Sequence, residues 1–241
     1  MLKIATYRYY LNSKKFGDCL NYLTNQLKEN NYEYTLDKYV SSDLNDIDSN
    51  EKSIEAHLFD FSAYHQAIKD FRQSSEHDDH IYLFLNDTFF TNWPYKLVCK
   101  RLQTKLSQKM SSLGLPIGMG RVERACSIHN AENISIVMAT HFFLLNKKST
   151  DYLFNLLENL DNIENKISQE YWALIREIHN QMYHNRTSKD DKHAKHVGVM
   201  IEHLLSQHIF NNGYLIDVFD TRLIKLIYSF KMFFKKQLNY E

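Results

Sequence analysis

The chain has little punctuation. Six glycines and two prolines stand among 241 residues, so its turns fall to Asn, Asp and Ser, which also form them. Three cysteines, Cys19, Cys99 and Cys126, lie far apart and form no Cys-x-x-Cys pair. That spacing argues against a disulfide framework or a cysteine-rich zinc site, and the three read as buried thiols of a reducing compartment. Neither sign of charge dominates, with 29 Lys and Arg against 29 Asp and Glu. A bulk basic surface for nucleic acid is therefore not expected, although local patches remain open. Met1 to Lys15 lack the apolar stretch and cleavage site of a secretory leader. No uncharged apolar run reaches the ~20 residues of a membrane span. What is present is a 44% hydrophobic, 24% charged composition, which fits a folded globular chain. The length suits one ordinary domain, or one domain with a C-terminal appendage.

Apolar spacing divides the chain into alternating elements. Lys3 to Tyr10 and Tyr32 to Val40 read as strands, with an amphipathic helix between them over Phe16 to Asn30, where Leu20, Leu23 and Leu27 recur at spacings of three and four. Ser41 to Asn50 reads as a loop. A helix is expected over Ser62 to Phe71, with Asp60 or Ser62 as its cap. Ile81 to Leu85 is a continuous apolar run and reads as a buried central strand; it ends in Asn86, Asp87 and Thr88. A helix over Trp93 to Met110, with Pro94 in its first turn, a strand over Ile134 to Ala139 and a helix over Ser149 to Leu160 follow. From Ser168 onward the pattern is mainly helical. Strands alternating with helices predict an α/β sheet covered on both faces. Ligands of such sheets sit beyond the carboxyl ends of the strands, which puts Asn86, Asp87 and Thr88 where chemistry is expected.

The most informative stretch runs from Leu58 to Tyr64 and resumes at Ile81 to Thr88. It is a polar helix start, a helix, and a buried strand ending in a carboxylate. A helix start offers free backbone N–H groups, and a carboxylate at a strand end can hold a metal, a ribose or a sugar hydroxyl. The plainer reading makes Asp60 an N-cap and Asp87 the start of a turn.

At these residues the chain resembles the glycosyltransferase-like proteins of the rhamnan synthesis F type, and more distantly family-two glycosyltransferases with the GT-A fold. Leu58 to Ile68 followed by Ile81 to Phe90 is similar to that family's Asn-Gly-x-Asp-x-Gly-Ala-Tyr helix start and its strand ending in Asn-Asp-Ser/Thr. Pro116 to Gly120, Ala139 to Asn146 and Glu202 to Tyr214 resemble three later segments, in the family's order. The resemblance implies a GT-A-like mixed, mostly parallel sheet flanked by helices, with a helical C-terminal part. It covers residues 1–220 as the transferase domain and leaves 221–241 as a basic amphipathic helix. Donor binding would use Thr6, Tyr7, Asp60, Asn86 and Asp87, with Asp87 also expected among the catalytic residues. The acceptor would lie against Gly118, Gly120 and His141, and Glu202 would be the general base of an inverting transfer. The chain departs from the family in having Ser62 where the family has glycine, no glycine before Asp60, and no Asp-x-Asp motif. Asp87 alone is a poor cage for Mn or Mg unless substrate phosphates and waters complete it.

A departing diphosphate also needs cationic stabilisation. His184 to His196 carries four Lys or Arg against two Asp and reads either as a solvated loop or as a lid closing on diphosphate, with Arg186 and Lys189 as donor-binding candidates. Twelve histidines raise a metal-hydrolase alternative, but no His-Glu-x-x-His occurs, and His203 and His208 are five apart, off one helical face. The cations from Lys96 to Lys109 lie mostly off the apolar stripe and read as a solvated helix face, not as a nucleic-acid surface. Thr221 to Lys236 mixes five cations with Leu, Ile and Phe and has no acid, which suits a helix in the headgroup layer of a membrane. The expectation is thus a cytoplasmic glycosyltransferase, peripheral on the inner membrane face, extending a surface polysaccharide or lipid-linked glycan from a nucleotide sugar. The alternative is a catalytically silent GT-A-like binding module.

Overall fold

In the computed structural model, residues 1–55, 57–74, 80–92, 94–100, 114–126, 134–183 and 192–217 are described. Seven strands form one sheet: β1 (Leu2–Arg8), β2 (Tyr34–Ser41), β3 (Lys52–Ile54), β4 (Ile81–Asn86), β5 (Ile117–Cys126), β6 (Ile134–Asn146) and β7 (Tyr214–Asp217). Their order is β3-β2-β1-β4-β6-β5-β7. All pairs are parallel except those of β6, which runs against both β4 and β5. The sheet is flanked by α1 (Ser13–Glu29), α2 (Asp60–Ser74), α3 (Asp87–Asn92), α4 (95–100), α5 (Lys147–Glu158), α6 (Leu160–Glu164), α7 (Gln169–Tyr183) and α8 (Lys192–Asn212). This is the α/β class expected from the alternation, and it is compatible with a GT-A-like layout.

Every residue of β1 is buried, as a central strand covered on both faces requires. Its side chains alternate between two cores. Ala5 and Tyr7 join the core under α2, α5, α7 and α8, while Leu2 and Ile4 join the one under α1, α3 and α4. α1 opens at Asn12, whose side chain accepts from the Lys15 N–H at 2.8 Å, an N-cap. Arg8, fully buried at the end of β1, gives Glu51 two hydrogen bonds, at 2.8 and 2.5 Å, and also reaches Asp46 and the carbonyls of Leu11 and Asp46. All five guanidinium N–H groups are thereby used, which ties residues 42–51 to the sheet.

Several elements differ from the sequence expectations. β3, β5 and β7 were not expected, nor was α3, which replaces the turn read at Asp87. β6 is 13 residues long rather than six. Pairing supplies these strands: Ile117–Cys126 has charges and glycines in place of an apolar run, and it is held between β6 and β7. Of the helix expected over Trp93 to Met110, residues 95–100 are helical and Pro94 just precedes them, while Trp93 and residues 101–110 lie outside the described residues. So does the tail, residues 218–241, with the expected C-terminal helix. Cys19 and Cys99 are buried free thiols, as expected. Among the described residues no helix is long and apolar enough to cross a membrane.

Candidate functional site

A cavity opens beyond the carboxyl ends of β1 and β4, walled by the starts of α2 and α3, the middle of β6 and one face of α8. On the α2 side stands Asp60. The turn into α2 places Phe59 in the left-handed region at φ 52°, unusual for a bulky residue. The Ser62 hydroxyl accepts the Leu58 N–H at 2.9 Å and holds that turn, so the turn forms without the family's glycines. Asn86, the last residue of β4, donates from its amide to the Asp60 carboxylate and accepts the Thr88 N–H at 2.9 Å. Burial pushes the Asp60 carboxyl up to about 7, against the pull of the Asn86 hydrogen bond and the Lys195 charge.

The opposite wall is a bulge. β5 pairs Gly120 with Phe143 but Arg121 with Ala139, so the register skips Thr140, His141 and Phe142. On the other side β4 pairs only as far as Leu85 with Phe142. Thr140 and His141 therefore stand beside the open end of β4. Side chains of α8 accept backbone N–H groups of β6 at and beside the bulge. Glu202 accepts the Thr140 N–H at 3.0 Å and the Thr140 hydroxyl, and Ser206 accepts the Met138 N–H at 2.7 Å. Tyr64 donates to the Thr140 carbonyl at 3.0 Å. Bulges of this kind re-aim side chains next to sites. Burial, with the Arg121 charge, pushes the His141 imidazole down to about 3, so it is neutral near pH 7.

The cavity also meets a cation. Lys195, in the first turn of α8, lines it and lies 4.6 Å over the Phe59 ring. Tyr9 closes the side nearest β1, its hydroxyl 2.8 Å from that of Thr88.

Of the sequence candidates, Asp60, Asn86, His141 and Glu202 come together in the cavity wall. Others do not. Asp87 is fully buried and outside the lining; one of its oxygens accepts the N–H groups of Tyr9, Tyr10 and Leu11 at 3.0, 2.8 and 3.0 Å. Thr6 is fully buried, and Tyr7 belongs to the core under α2. Gly118 and Gly120 are packing positions, where an added Cβ would come within 2.7 Å of Ile209 and 2.9 Å of Met138. Arg186 and Lys189 lie outside the described residues. Tyr9, Phe59 and Lys195 were not singled out. Lys195 had a signal, as part of a cationic stretch, but Phe59 and Tyr9 had none beyond their nearness to Asp60 and to the end of β1.

Among the described residues, several histidines make local contacts with an acid or with another ring. His193 pairs with Glu164 at 3.2 Å, His196 meets His179 edge-on, and His208 stacks on Tyr152 at 3.7 Å. Among the described residues no three His, Cys, Asp or Glu side chains are grouped to hold a metal. The donor set is too small for a protein cage for Mn or Mg: Asp87 gives Oδ2 to three backbone N–H groups and keeps only Oδ1 without a hydrogen-bond partner, and Asp60 faces an amide and an ammonium. Oxygen-seeking cations take several carboxylate or carbonyl ligands.

No protein-family model and no curated protein matches the chain. Among solved structures it is similar to the 2-C-methyl-D-erythritol 4-phosphate cytidylyltransferase of Francisella tularensis. The identity is 13%, over 82% of this chain and 100% of that one, with a TM-score of 0.34. At that score the likeness says nothing about chemistry.

Proposed function

We propose that the chain transfers a sugar from a nucleotide-sugar donor to a hydroxyl of a growing polysaccharide or lipid-linked glycan. The observation that carries this reading is the meeting of the Asp60–Asn86 pair, Glu202 and Lys195 in one cavity beyond the carboxyl ends of parallel strands. Such an edge is where open α/β sheets bind ligands. The order of motifs along the chain supports the same reading.

Thr140 anchors one oxygen of Glu202 and so sets the direction of the carboxylate. Glu202 takes the proton of the acceptor hydroxyl as that oxygen attacks the anomeric carbon. The bond from the anomeric carbon to the diphosphate breaks as the new one forms, and the diphosphate leaves with the electron pair. Attack opposite the leaving group inverts the anomeric centre. Lys195, helped by Arg186 and Lys189 from the adjoining segment, offsets the charge that develops on the diphosphate. Asp60 and Asn86 supply an acceptor and a donor for polar groups of the nucleotide. Mn or Mg, where used, would arrive on the diphosphate.

A panel of nucleoside diphosphates and their sugars, read first by thermal shift and then by donor turnover, tests this. One nucleotide should raise the melting temperature, and its sugar should be consumed. No shift with any nucleotide overturns the reading. The silent-module alternative is favoured by the use of Asp87 as a backbone clamp, and nucleotide binding without turnover in the presence of acceptor would establish it.

We also propose that Thr221 to Tyr240 meets an anionic membrane on the cytoplasmic side. Each cation near such a surface contributes about 1 kcal/mol. Co-sedimentation with phosphatidylserine vesicles should be lost on truncation at Asp220 and weakened by salt; equal behaviour of both forms overturns this.

A further inference from the structure

Asp87 is the strand-end carboxylate at the place where a donor or metal ligand was expected, and its surroundings give it another task. Three successive backbone N–H groups, from Tyr9, Tyr10 and Leu11, converge on its Oδ2. Converging N–H groups of this kind form a cradle for an anion, and here the chain's own carboxylate fills it. The loop so held carries two half-exposed rings, Tyr9 and Tyr10, whose centroids are 4.6 Å apart and edge-on. Their hydroxyls are fixed from the same short helix that Asp87 opens, Tyr9 on Thr88 and Tyr10 on Thr91. The Tyr9 ring also lies on Tyr7, with centroids 5.7 Å apart. Backbone and both side chains of the rim are thus tied to residues 87–91, and Tyr9 lines the cavity.

We infer that Asp87 is a positioning residue, which acts on the ligand through the loop Tyr9–Leu11 and touches neither donor nor metal. The inference rests on the proposed nucleotide site for its effect on binding, while the clamp itself stands apart from that reading. A rim held in place before the ligand arrives loses little freedom on binding. Removing the carboxylate frees three N–H groups and the rim together. An amide oxygen in its place keeps an acceptor for the same N–H groups but is a much weaker ligand for a cation.

The full chain is compared with Asp87→Ala and Asp87→Asn by amide hydrogen exchange and by binding of UDP and ADP, each with Mg²⁺ and with EDTA. In the wild type the amides of Tyr9, Tyr10 and Leu11 should be protected although two of the side chains are exposed. Asp87→Ala should speed their exchange, and weaken nucleotide binding, by about tenfold or more, with and without Mg²⁺. Asp87→Asn should stay close to wild type in both readouts. Unprotected amides in the wild type overturn the inference. So does equal loss of binding in both variants confined to Mg²⁺, with the amides still protected, because a metal ligand behaves that way. Should Asp87→Ala fail to fold, wild-type exchange and Asp87→Asn decide alone. If the wild type binds neither UDP nor ADP, the proposed function loses its support, while the exchange data still judge the clamp.

Discussion

Thr140 meets the Glu202 carboxylate twice, through its backbone N–H at 3.0 Å and through its hydroxyl. The same side chain that faces the cavity from α8 thus also supplies a bond that β6 loses at its bulge. In the proposed transfer a general base must be aimed as well as ionised, and the bulge and the helix would aim Glu202 together.

Two substitutions separate these tasks. Glu202→Gln keeps an oxygen for Thr140 but cannot take a proton. It should lower donor turnover by roughly 10²–10⁴-fold while leaving the melting temperature nearly unchanged. Glu202→Ala should in addition destabilise by about 1–3 kcal/mol, since the buried Thr140 groups lose their partner. Turnover assays alongside urea titrations check both. Full activity in Glu202→Gln would remove Glu202 from the chemistry.

Asp60 predicts a pH dependence of stability. Burial first, and the Asp87 charge, hold its carboxyl up to about 7 in the folded chain. The unfolded chain releases the proton near 4, so the folded state binds more protons between these values. Stability from this group is full below about pH 4 and is lost as pH rises to about 7. Asp60→Asn should flatten that part of the melting curve against pH and raise the melting temperature above about pH 7. A wild-type profile that the variant reproduces would show that Asp60 ionises normally.

The Arg8 network predicts unequal losses. Arg8 and the Glu51 side chain are 0% and 2% exposed, whereas Asp46 is 44% exposed. Glu51→Ala leaves a buried guanidinium without its two-point partner and should cost about 3–5 kcal/mol. Asp46→Ala should cost distinctly less. Denaturant unfolding of both variants gives the order directly.

The β5 glycines are expected to differ as well. At Gly118 an added Cβ meets the far end of the Ile209 side chain, which can turn aside. At Gly120 it meets Met138 Cγ and the Phe142 carbonyl at 3.1 Å, and the carbonyl belongs to the bulge. Gly120→Ala should therefore be the more destabilising, by about 1–3 kcal/mol, and should disturb ligand binding through Thr140 and His141. Thermal melts and nucleotide titrations of both variants test this.

Asp60, Asn86 and the strand before them were legible in the sequence because each depends on its neighbours. A polar helix start and an apolar run ending in Asn-Asp are set by backbone preference and burial over a few residues. β1, α1 and α2 were legible for the same reason, their apolar spacing being strong. The remainder depended on contacts across long separations. Glu202 and Thr140 are 62 residues apart, and Asp87 and Tyr9 are 78. Nothing local distinguishes a carboxylate that binds a ligand from one that holds a loop. β5 and β7 lack a strong apolar run and are strands through the partners they pair with. At the bulge in β6 the N–H of Thr140 finds its acceptor on α8, in Glu202. Periodicity determined the strongly patterned helices and strands, while tertiary pairing made strands of β5 and β7 and packing decided which of the polar side chains at the sheet edge face the cavity and which satisfy the backbone.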